Sequence, residues 1–415
     1  MDKKLVYPFL FLTLAAAASP AKPPETWNAT AQGAALSAIE RAIQKDYVFP
    51  ELKAPLVGRL EEGRKTGRYD TAEPDLFAQR VTEDMQTVAH DGHLYLDYDK
   101  AGYAAHIAPP KSDQGIVAYR QQLALREDSG IRELRILPGN LRYMKLTAFR
   151  WAPGLSAKAY DGAARFLRGG DAIILDLREN GGGNSDAADY FEKALVRPNK
   201  GKPIYVLVDG HVASAAEAVA YGLQQEKAAV VVGSTTYGAA NNNKKIPIAP
   251  GFVLSVSYHR PINPISKTNW EGTGVVPDIA VAGSKALETA EWDALSKLAS
   301  APGATQERLN EYKWAQAGVQ AQLHPMAPSH EQLVKYAGRY GPVDIRLASD
   351  GLRMSRHDRP RWEQDVLLVP MTPDGLFSVQ SFDDLRLRVH DASLDLLHGA
   401  EDARESFQRD AGQQG

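Results

Sequence analysis

Between residues 155 and 232, short apolar segments alternate with segments of helical periodicity. Helices are predicted over 155–168, from near Ser185 and from near Ala215, and apolar strands are predicted over 172–175, 204–208 and 229–232. Strands that are apolar on both faces lie inside parallel sheets, and the alternating helices supply the layers that cover them. This pattern predicts an α/β core built on a mostly parallel sheet.

The rest of the chain divides into segments of different composition. Residues 28–90 carry apolar residues at helical spacing and predict a helical N-terminal domain. The core is expected to span 91–283, with further strands at 91–99, 115–120, 131–148, 252–258 and 275–279. Beyond it we expect a polar helical linker at 284–328, a small antiparallel β domain at 329–400 and a polar tail at 401–415.

Residues 1–21 have the order of a signal peptide. Lys3 and Lys4 precede an apolar run from Leu5 to Ala18, and small residues follow up to Ala21. The run is too short to span a membrane, although an N-terminal anchor helix is an alternative. No later stretch of about 18 apolar residues occurs. We therefore expect an exported protein, periplasmic or extracellular, with no membrane span after signal removal.

The composition argues against several kinds of chemistry. The net charge is -3 with both signs interspersed, which gives no basis for nucleic-acid binding. The absence of cysteine excludes disulfides and thiol catalysis. Because no H-E-x-x-H motif or histidine cluster occurs, we predict no metal and no cofactor.

The segment LVDGHVASAAEAVAYGL places a serine where a buried strand turns into a helix. At the start of a helix, backbone N–H groups and the helix dipole favour negative charge, so Ser214 is a candidate nucleophile. The alternative is an ordinary N-cap serine, a role that this residue type often has.

Three other segments could complete a site. Gly181 to Gly183 follow a buried strand and can present N–H donors to an oxyanion or a phosphate, or can simply form a tight turn. His93, in DGHLYLDYD, is a candidate base. Glu271, in NWEGTGVVPDI, lies in a glycine-rich loop and by itself indicates little.

Taken together, LDLRENGGG, ASAAE, DGHL and NWEGTG resemble the C-terminal processing, or tail-specific, serine peptidases over residues 35–283. The branch that includes the tricorn core protease and the interphotoreceptor retinoid-binding protein modules is the most similar. The resemblance implies a crotonase-like α/β core. The helical N-terminal domain and the small C-terminal antiparallel β domain predicted above complete the expected fold. It also implies catalysis by Ser214 as nucleophile, His93 as general base and Glu271.

The resemblance further implies an oxyanion hole made by the N–H of Ala215 and that of Gly182 or Gly183. Glu217 corresponds to the carboxylate of the S-A-x-E segment, which either polarises the site or favours the first helical turn. Whether Glu271 orients a side chain or binds the amino terminus of a substrate stays open.

Three departures from the family pattern matter. In the family that the chain resembles, bacterial tail-specific enzymes carry a lysine about 25 residues after the serine. Position 239 here is Ala239, which argues against a Ser–Lys dyad. Gly92 stands where tricorn-type enzymes have a serine, so the fourth member of a tetrad is undetermined. Between Asp99 and Gly139 too few residues remain for a PDZ module.

These features predict a serine-type peptidase that acts on a peptide or protein substrate. The alternative is a catalytically silent protein that binds a ligand or peptide on the same fold, because a fold does not determine activity.

Overall fold

The computed structural model describes residues 27–108, 113–199, 201–359, 363–399 and 403–410, so the signal peptide expected at 1–21 lies outside the described residues. The chain divides into two units. The first comprises the described residues up to Ala89 together with Leu94–Ala108 and Lys244–Val256, and the second comprises His90–His93, Pro109–Asn243 and the described residues from Ser257 onward.

Eleven α-helices occur in the described residues: α1 Ala29–Asp46, α2 Pro50–Lys65, α3 Pro74–Ala89, α4 Lys100–Ile107, α5 Asp113–Arg126, α6 Leu155–Arg168, α7 Ser185–Val196, α8 Ala215–Gln225, α9 Ala286–Ser300, α10 Gln306–Leu323 and α11 His330–Tyr336. None of the helices in this part of the chain is both long enough and apolar enough to cross a membrane.

The strands are β1 Tyr95–Tyr98, β2 Ile131–Leu137, β3 Leu141–Leu146, β4 Ala172–Asp176, β5 Ile204–Val208, β6 Val230–Gly233, β7 Asn242–Ile248, β8 Phe252–His259, β9 Ile279–Ala280, β10 Gly338–Tyr340, β11 Val343–Ala348, β12 Gly351–Arg356, β13 Val366–Pro370, β14 Leu376–Val379, β15 Phe382–Val389, β16 Ser393–His398 and β17 Ala403–Gln408.

In the first unit, α1, α2 and α3 pack against a small sheet of strand order β1-β8-β7. The apolar stripes of the helices, including Ile39, Leu60 and Phe77, form one core with Phe252 and Leu254 of β8. The helical segment expected at 28–90 therefore does not bury its apolar face alone. It shares its core with strands that the sequence analysis assigned to 91–283.

The second unit contains a six-stranded sheet of order β2-β3-β4-β5-β6-β9. β2 pairs antiparallel with β3, and every other pairing is parallel. All five residues of β4 and of β5 are buried, as expected for strands covered on both faces. The predicted α/β class is confirmed.

Each face of this sheet is covered by helices. On one face, Tyr160 of α6, Phe191 of α7 and Val219 of α8 pack with residues of β3, β4, β5 and β6. On the other face, Leu295 of α9 and Tyr312 of α10 pack with residues of β3 to β6. Residues 284–328, expected to be a linker, therefore contribute a layer of the core.

Three further expectations differ from the structure. Residues 115–120, expected to form a strand, lie within α5, because a short apolar run does not distinguish strand from helix and the following QQLALR favours a helix. The strand expected at 91–99 contains only β1, since Gly92 and His93 form a turn before it. The expected polar tail contains β17.

Residues from β10 to β17 form an eight-stranded antiparallel meander, in agreement with the antiparallel β domain that we expected. Its first and last strands meet, since Tyr340 bridges to Arg409 and the Asp410 N–H donates to the Arg339 carbonyl at 2.9 Å. The meander therefore closes into a barrel, and Leu387 and Leu396 lie in its buried core.

A buried carboxylate joins two helices of the first unit. Asp84 on α3 accepts hydrogen bonds from the Tyr69 hydroxyl at 2.7 Å, from Arg59 at 2.8 Å and from Arg68 at 2.9 Å. Burial by itself would raise the pKa of Asp84, but these three donors outweigh it and the pKa is lowered.

We predict that Asp84→Ala lowers the free energy of unfolding by about 1–3 kcal/mol, because the buried Tyr69 hydroxyl loses its acceptor. Urea denaturation followed by circular dichroism measures the change. Glu83→Ala is the control, since Glu83 pairs with Arg68 at the surface, where its side chain is 49% exposed. Equal losses in the two variants would contradict the assigned role of Asp84.

Candidate active site

Ser214 occupies a strained turn between a strand and a helix. β5 ends at Val208, α8 begins at Ala215, and Ser214 between them has φ 54° and ψ -121°. The ordinary N-cap residues of this chain, such as Thr305 and Ser329, have extended backbones with φ near -69° and -66°. Ser214 forms a capping box with Glu217, but its backbone conformation differs from that of these N-cap residues. A strained serine at a strand-to-helix turn is typical of a nucleophile that must be presented at the edge of a sheet.

Glu217, in the first turn of α8, holds this strained backbone. Its side chain is fully buried, and Oε2 accepts the Ser214 N–H at 2.9 Å. The same carboxylate accepts the Gly238 N–H at 2.7 Å, the Ala239 N–H at 2.8 Å and the Thr236 hydroxyl. These four hydrogen bonds fix the Glu217 carboxyl group, so Glu217 can offset the cost of the Ser214 conformation.

The glycine segment packs directly against the serine turn. Gly182 has φ 97°, and a Cβ atom built there would lie 2.9 Å from both the Ser214 Cβ and the Ala215 nitrogen. Only glycine permits this approach. The Gly182 N–H, however, donates to Asn180 Oδ1 at 2.9 Å, so it is not available as the oxyanion donor that the sequence analysis allowed for.

Gly183 is the better of the two predicted glycine donors. Phe149 pairs with it through the Gly182 carbonyl and the Asn184 N–H, each at 2.9 Å. In a parallel ladder this pattern directs the N–H of Gly183 away from the Phe149 strand. The N–H of Ala215, as the first residue of α8, is also outside the helical bonding pattern. These two N–H groups can serve as an oxyanion pair.

His93 lies in a turn that two carboxylates surround. Its backbone N–H donates to Asp91 Oδ1 at 2.9 Å, and the Gly92 N–H donates to Glu271 Oε1 at 3.2 Å. One side-chain ligand atom each of Asp91, His93 and Glu271 lies within 4.8 Å of the others. Burial raises the pKa of Glu271 to about 7, and the neighbouring charge of Asp91 adds to the effect.

The cluster of Asp91, His93 and Glu271 has the residue types of a metal site, but both Glu271 oxygens already accept hydrogen bonds. Oε2 of Glu271 accepts the N–H groups of Ala240 and Asn241, both at 2.7 Å, and Oε1 accepts that of Gly92. Glu271 therefore has few lone pairs left for an ion. The arrangement suits an imidazole flanked by acids, which stabilise its protonated form.

A single loop connects the two halves of the site. The N–H groups of Gly238 and Ala239 bind Glu217, and those of Ala240 and Asn241 bind Glu271. Tyr237 lies beside Gly92, with its ring 2.9 Å from where a Cβ atom of that glycine would stand. The structure thus joins the His93 turn to the Ser214 turn through residues 236–241.

Some of this arrangement was not predicted from the sequence. Asn180 and Thr236 hold the glycine segment and the loop, yet polar residues in loops give no signal that separates them from solvated ones. Ala239 is 2% exposed and fills the position where a lysine would be expected in a dyad. The nearby Lys244 pairs with Asp46 at 2.8 Å within the first unit.

Comparisons with known proteins agree with the resemblance seen in the sequence. Residues 189–281, which include Ser214 and Glu271, match the model of peptidase family S41. A carboxy-terminal-processing protease of Bartonella bacilliformis is 30% identical over 135 residues, covering 26% of this chain and 30% of that protein. The chloroplastic carboxyl-terminal-processing peptidase 2 of Arabidopsis thaliana is 29% identical over 174 residues, covering 34% of this chain and 33% of that protein.

Among solved structures, a putative peptidase from Parabacteroides merdae is similar to this chain and is 18% identical to it in sequence. That match covers 65% of this chain and 98% of the other chain, with a TM-score of 0.47. The chain aligns with about a third of the length of the two curated relatives. The family model and the two curated relatives confirm the predicted similarity to the C-terminal processing serine peptidases.

We predict that the stability of the protein falls as pH rises through the interval in which Glu271 ionises. The folded pKa is about 7 and the ordinary value is 4.5, so between them the folded state binds more protons than the unfolded state. The loss of unfolding free energy that Glu271 causes is absent below the ordinary pKa of 4.5 and complete above the folded pKa of about 7. Glu271→Gln should therefore show a smaller loss of unfolding free energy between about pH 5 and pH 8.

Urea denaturation at the two pH values tests this expectation. Glu179→Gln is the matched control, since the Glu179 side chain is 70% exposed. An unchanged pH dependence in the Glu271 variant would show that this carboxyl does not ionise in that interval.

Proposed function

We propose that this chain is a serine peptidase that hydrolyses peptide bonds through an acyl-enzyme on Ser214, with His93 as the general base. The observation that supports this most directly is the backbone of Ser214. Its strained conformation, φ 54° and ψ -121°, differs from that of the ordinary helix caps in the same chain and is fixed by the buried Glu217. A protein that only needed a helix cap would gain nothing from that strain.

In this mechanism His93 accepts the hydroxyl proton as Ser214 Oγ attacks the carbonyl carbon of the scissile bond. The N–H groups of Ala215 and Gly183 stabilise the oxygen that becomes negative. The bond to the leaving amine breaks as His93 returns the proton to that nitrogen. A water then loses its proton to His93 and attacks the acyl carbon. The bond between that carbon and Ser214 Oγ breaks as His93 returns the proton to Oγ, which releases the acid product and regenerates the Ser214 hydroxyl.

Glu271 and Asp91 both act on His93 in this proposal, and Glu271 has a second part. The imidazole of His93 becomes positive when it takes the serine proton, and the nearby carboxylates of both residues stabilise that charge. Glu271 also fixes the loop at Ala240 and Asn241. Glu217 is a positioning residue, because it holds the Ser214 N–H and the same loop.

The proposal extends to the setting of the site. We assign the second-unit α/β sheet to a crotonase-like core of the tricorn-type branch, with a histidine in place of a lysine base. Residues 100–126 contain α4 and α5 in their described part, so we infer peptide selection without a PDZ module. The leader-like residues 1–21 support export, and we place the peptidase outside the cytoplasm.

Ser214→Ala should lower hydrolysis of an unstructured protein such as casein by about 10³-fold or more, because the acyl-enzyme cannot form. Its melting temperature should stay close to that of the wild type. A fluorophosphonate probe should label the wild type at Ser214 and not the variant. Ser185→Ala is the control, since Ser185 is an exposed serine at the start of α7. Hydrolysis by Ser214→Ala at the wild-type rate would refute the proposal, and binding of peptide without labelling would indicate a silent binding protein.

His93→Ala should lower kcat by about 10²–10⁴-fold, with a smaller effect on KM, because the general base is lost while the peptide-binding surface remains. Stopped-flow or continuous assays with a fluorogenic peptide measure both constants. His106→Ala is the control, because His106 lies on α4 in the first unit, outside this cluster. If His93→Ala retains kcat, another group must activate the serine.

A further inference from the structure

A cavity lies in the second unit, outside the elements that carry Ser214 and His93. It has a volume of about 600 Å³ and is bounded by β2, α9, α10 and the turn between β14 and β15. Small-molecule pockets have volumes of roughly 300–1,000 Å³. Apolar side chains form much of its wall, among them Ile136, Leu287, Val319 and Phe382.

A buried acid faces this cavity without a donor. Glu291 on α9 is 7% exposed, and in the described part of the chain no donor lies within hydrogen-bond distance of its carboxyl group. Burial raises the pKa of Glu291 to about 7, and the charge of Glu288 adds to the effect, while the charge of Arg135, which also lines the cavity, acts against it. A buried polar group without a partner is costly, so a ligand donor at this position would stabilise the structure.

A buried cation faces the same cavity. Arg386 on β15 is 8% exposed, its guanidinium lies 3.8 Å from the centre of the Trp314 ring, and it donates to the Trp314 carbonyl. Among the residues that the structure describes, no carboxylate lies within ion-pair distance of it. Arg388, two residues further along the strand, pairs with Asp374 instead. A buried charge of this kind lacks the counter-ion that buried charges normally have.

We propose that this cavity binds a short apolar peptide with free ends, whose ammonium group donates to Glu291 and whose carboxylate pairs with Arg386. An apolar zwitterion supplies a donor to Glu291 and a counter-ion to Arg386 at once, and apolar side chains suit the wall formed by Leu287, Val319 and Phe382. A fatty acid would satisfy Arg386 alone and leave Glu291 without a donor. The site goes beyond the proposed peptidase activity and does not require Ser214.

Isothermal titration calorimetry with the tripeptide Leu-Ala-Leu on the full-length Ser214→Ala protein tests the proposal, since that variant should leave the probe intact. We expect saturable binding of the free peptide. Acetylation of its amino end or amidation of its carboxyl end should each weaken binding about tenfold or more, the loss expected for one hydrogen bond to a charged group. Absence of binding by the free peptide at millimolar concentration, or equal affinity of octanoate, overturns the proposal.

Two variants in the same background assign each end of the peptide. Glu291→Gln should weaken the free peptide but not the acetylated one, and Arg386→Leu should weaken the free peptide but not the amide. Arg388→Leu is the matched control, because it removes an arginine of the same strand that does not line the cavity. If the Arg388 and Arg386 variants have equal effects, the assignment of the carboxylate end is wrong.

A third variant fills the cavity without removing a charge. A Cβ atom at Gly318 on α10 would lie 3.6 Å from Arg386 Nη2, so Gly318→Leu extends into the site. It should abolish peptide binding, whereas Gly162→Leu on α6, where a Cβ meets nothing within 4 Å, should not. Normal binding by Gly318→Leu overturns the proposal. Fluorophosphonate labelling of the wild-type protein tests the peptidase proposal in a separate experiment. Failure of the peptide site and failure of the peptidase proposal are therefore distinguishable.

Discussion

Two carboxylates, the buried Glu217 and the half-buried Glu271, hold the candidate active site together with one loop. Four successive backbone N–H groups, those of residues 238–241, are shared between Glu217 and Glu271. Each carboxylate reaches a second element as well, since Glu217 accepts the Ser214 N–H and Glu271 accepts the Gly92 N–H. Buried N–H groups must find acceptors. The N–H groups of the loop all have acceptors only while the Ser214 turn and the His93 turn are both in place. The local fold of the loop and the geometry of the site therefore depend on each other.

This coupling explains how the chain can keep Ser214 in an unfavourable conformation. A non-glycine residue with positive φ persists only where its surroundings determine it. Here the constraints come from three directions: Glu217 within the helix, Gly182 packed against the turn, and the carbonyl of Asn180, which accepts the Ala213 N–H at 3.0 Å. The strained backbone of Ser214 therefore depends on Glu217, Gly182 and Asn180 keeping their positions.

The sequence predicted most of what depends on local pattern. The alternation of apolar strands with helices defined the sheet, and the serine and glycine segments were found because their residue types need particular backbones. It could not separate Gly182 from Gly183 as donor, because the difference lies in a hydrogen bond to Asn180. It also could not foresee that β7 and β8 join the first unit or that α9 and α10 cover the sheet. Those outcomes depend on contacts between distant segments, which periodicity does not record.

The barrel of the second unit is closed by the last residues that the structure describes. Arg409 bridges to Tyr340, and Asp410 donates to Arg339, so the first strand lacks one neighbour until the last has been added. A chain that ends before residue 409 cannot make this closure, so the two outer strands of the sheet keep unpaired edges. Because an unpaired strand edge can pair with another chain, truncation at this point should favour aggregation.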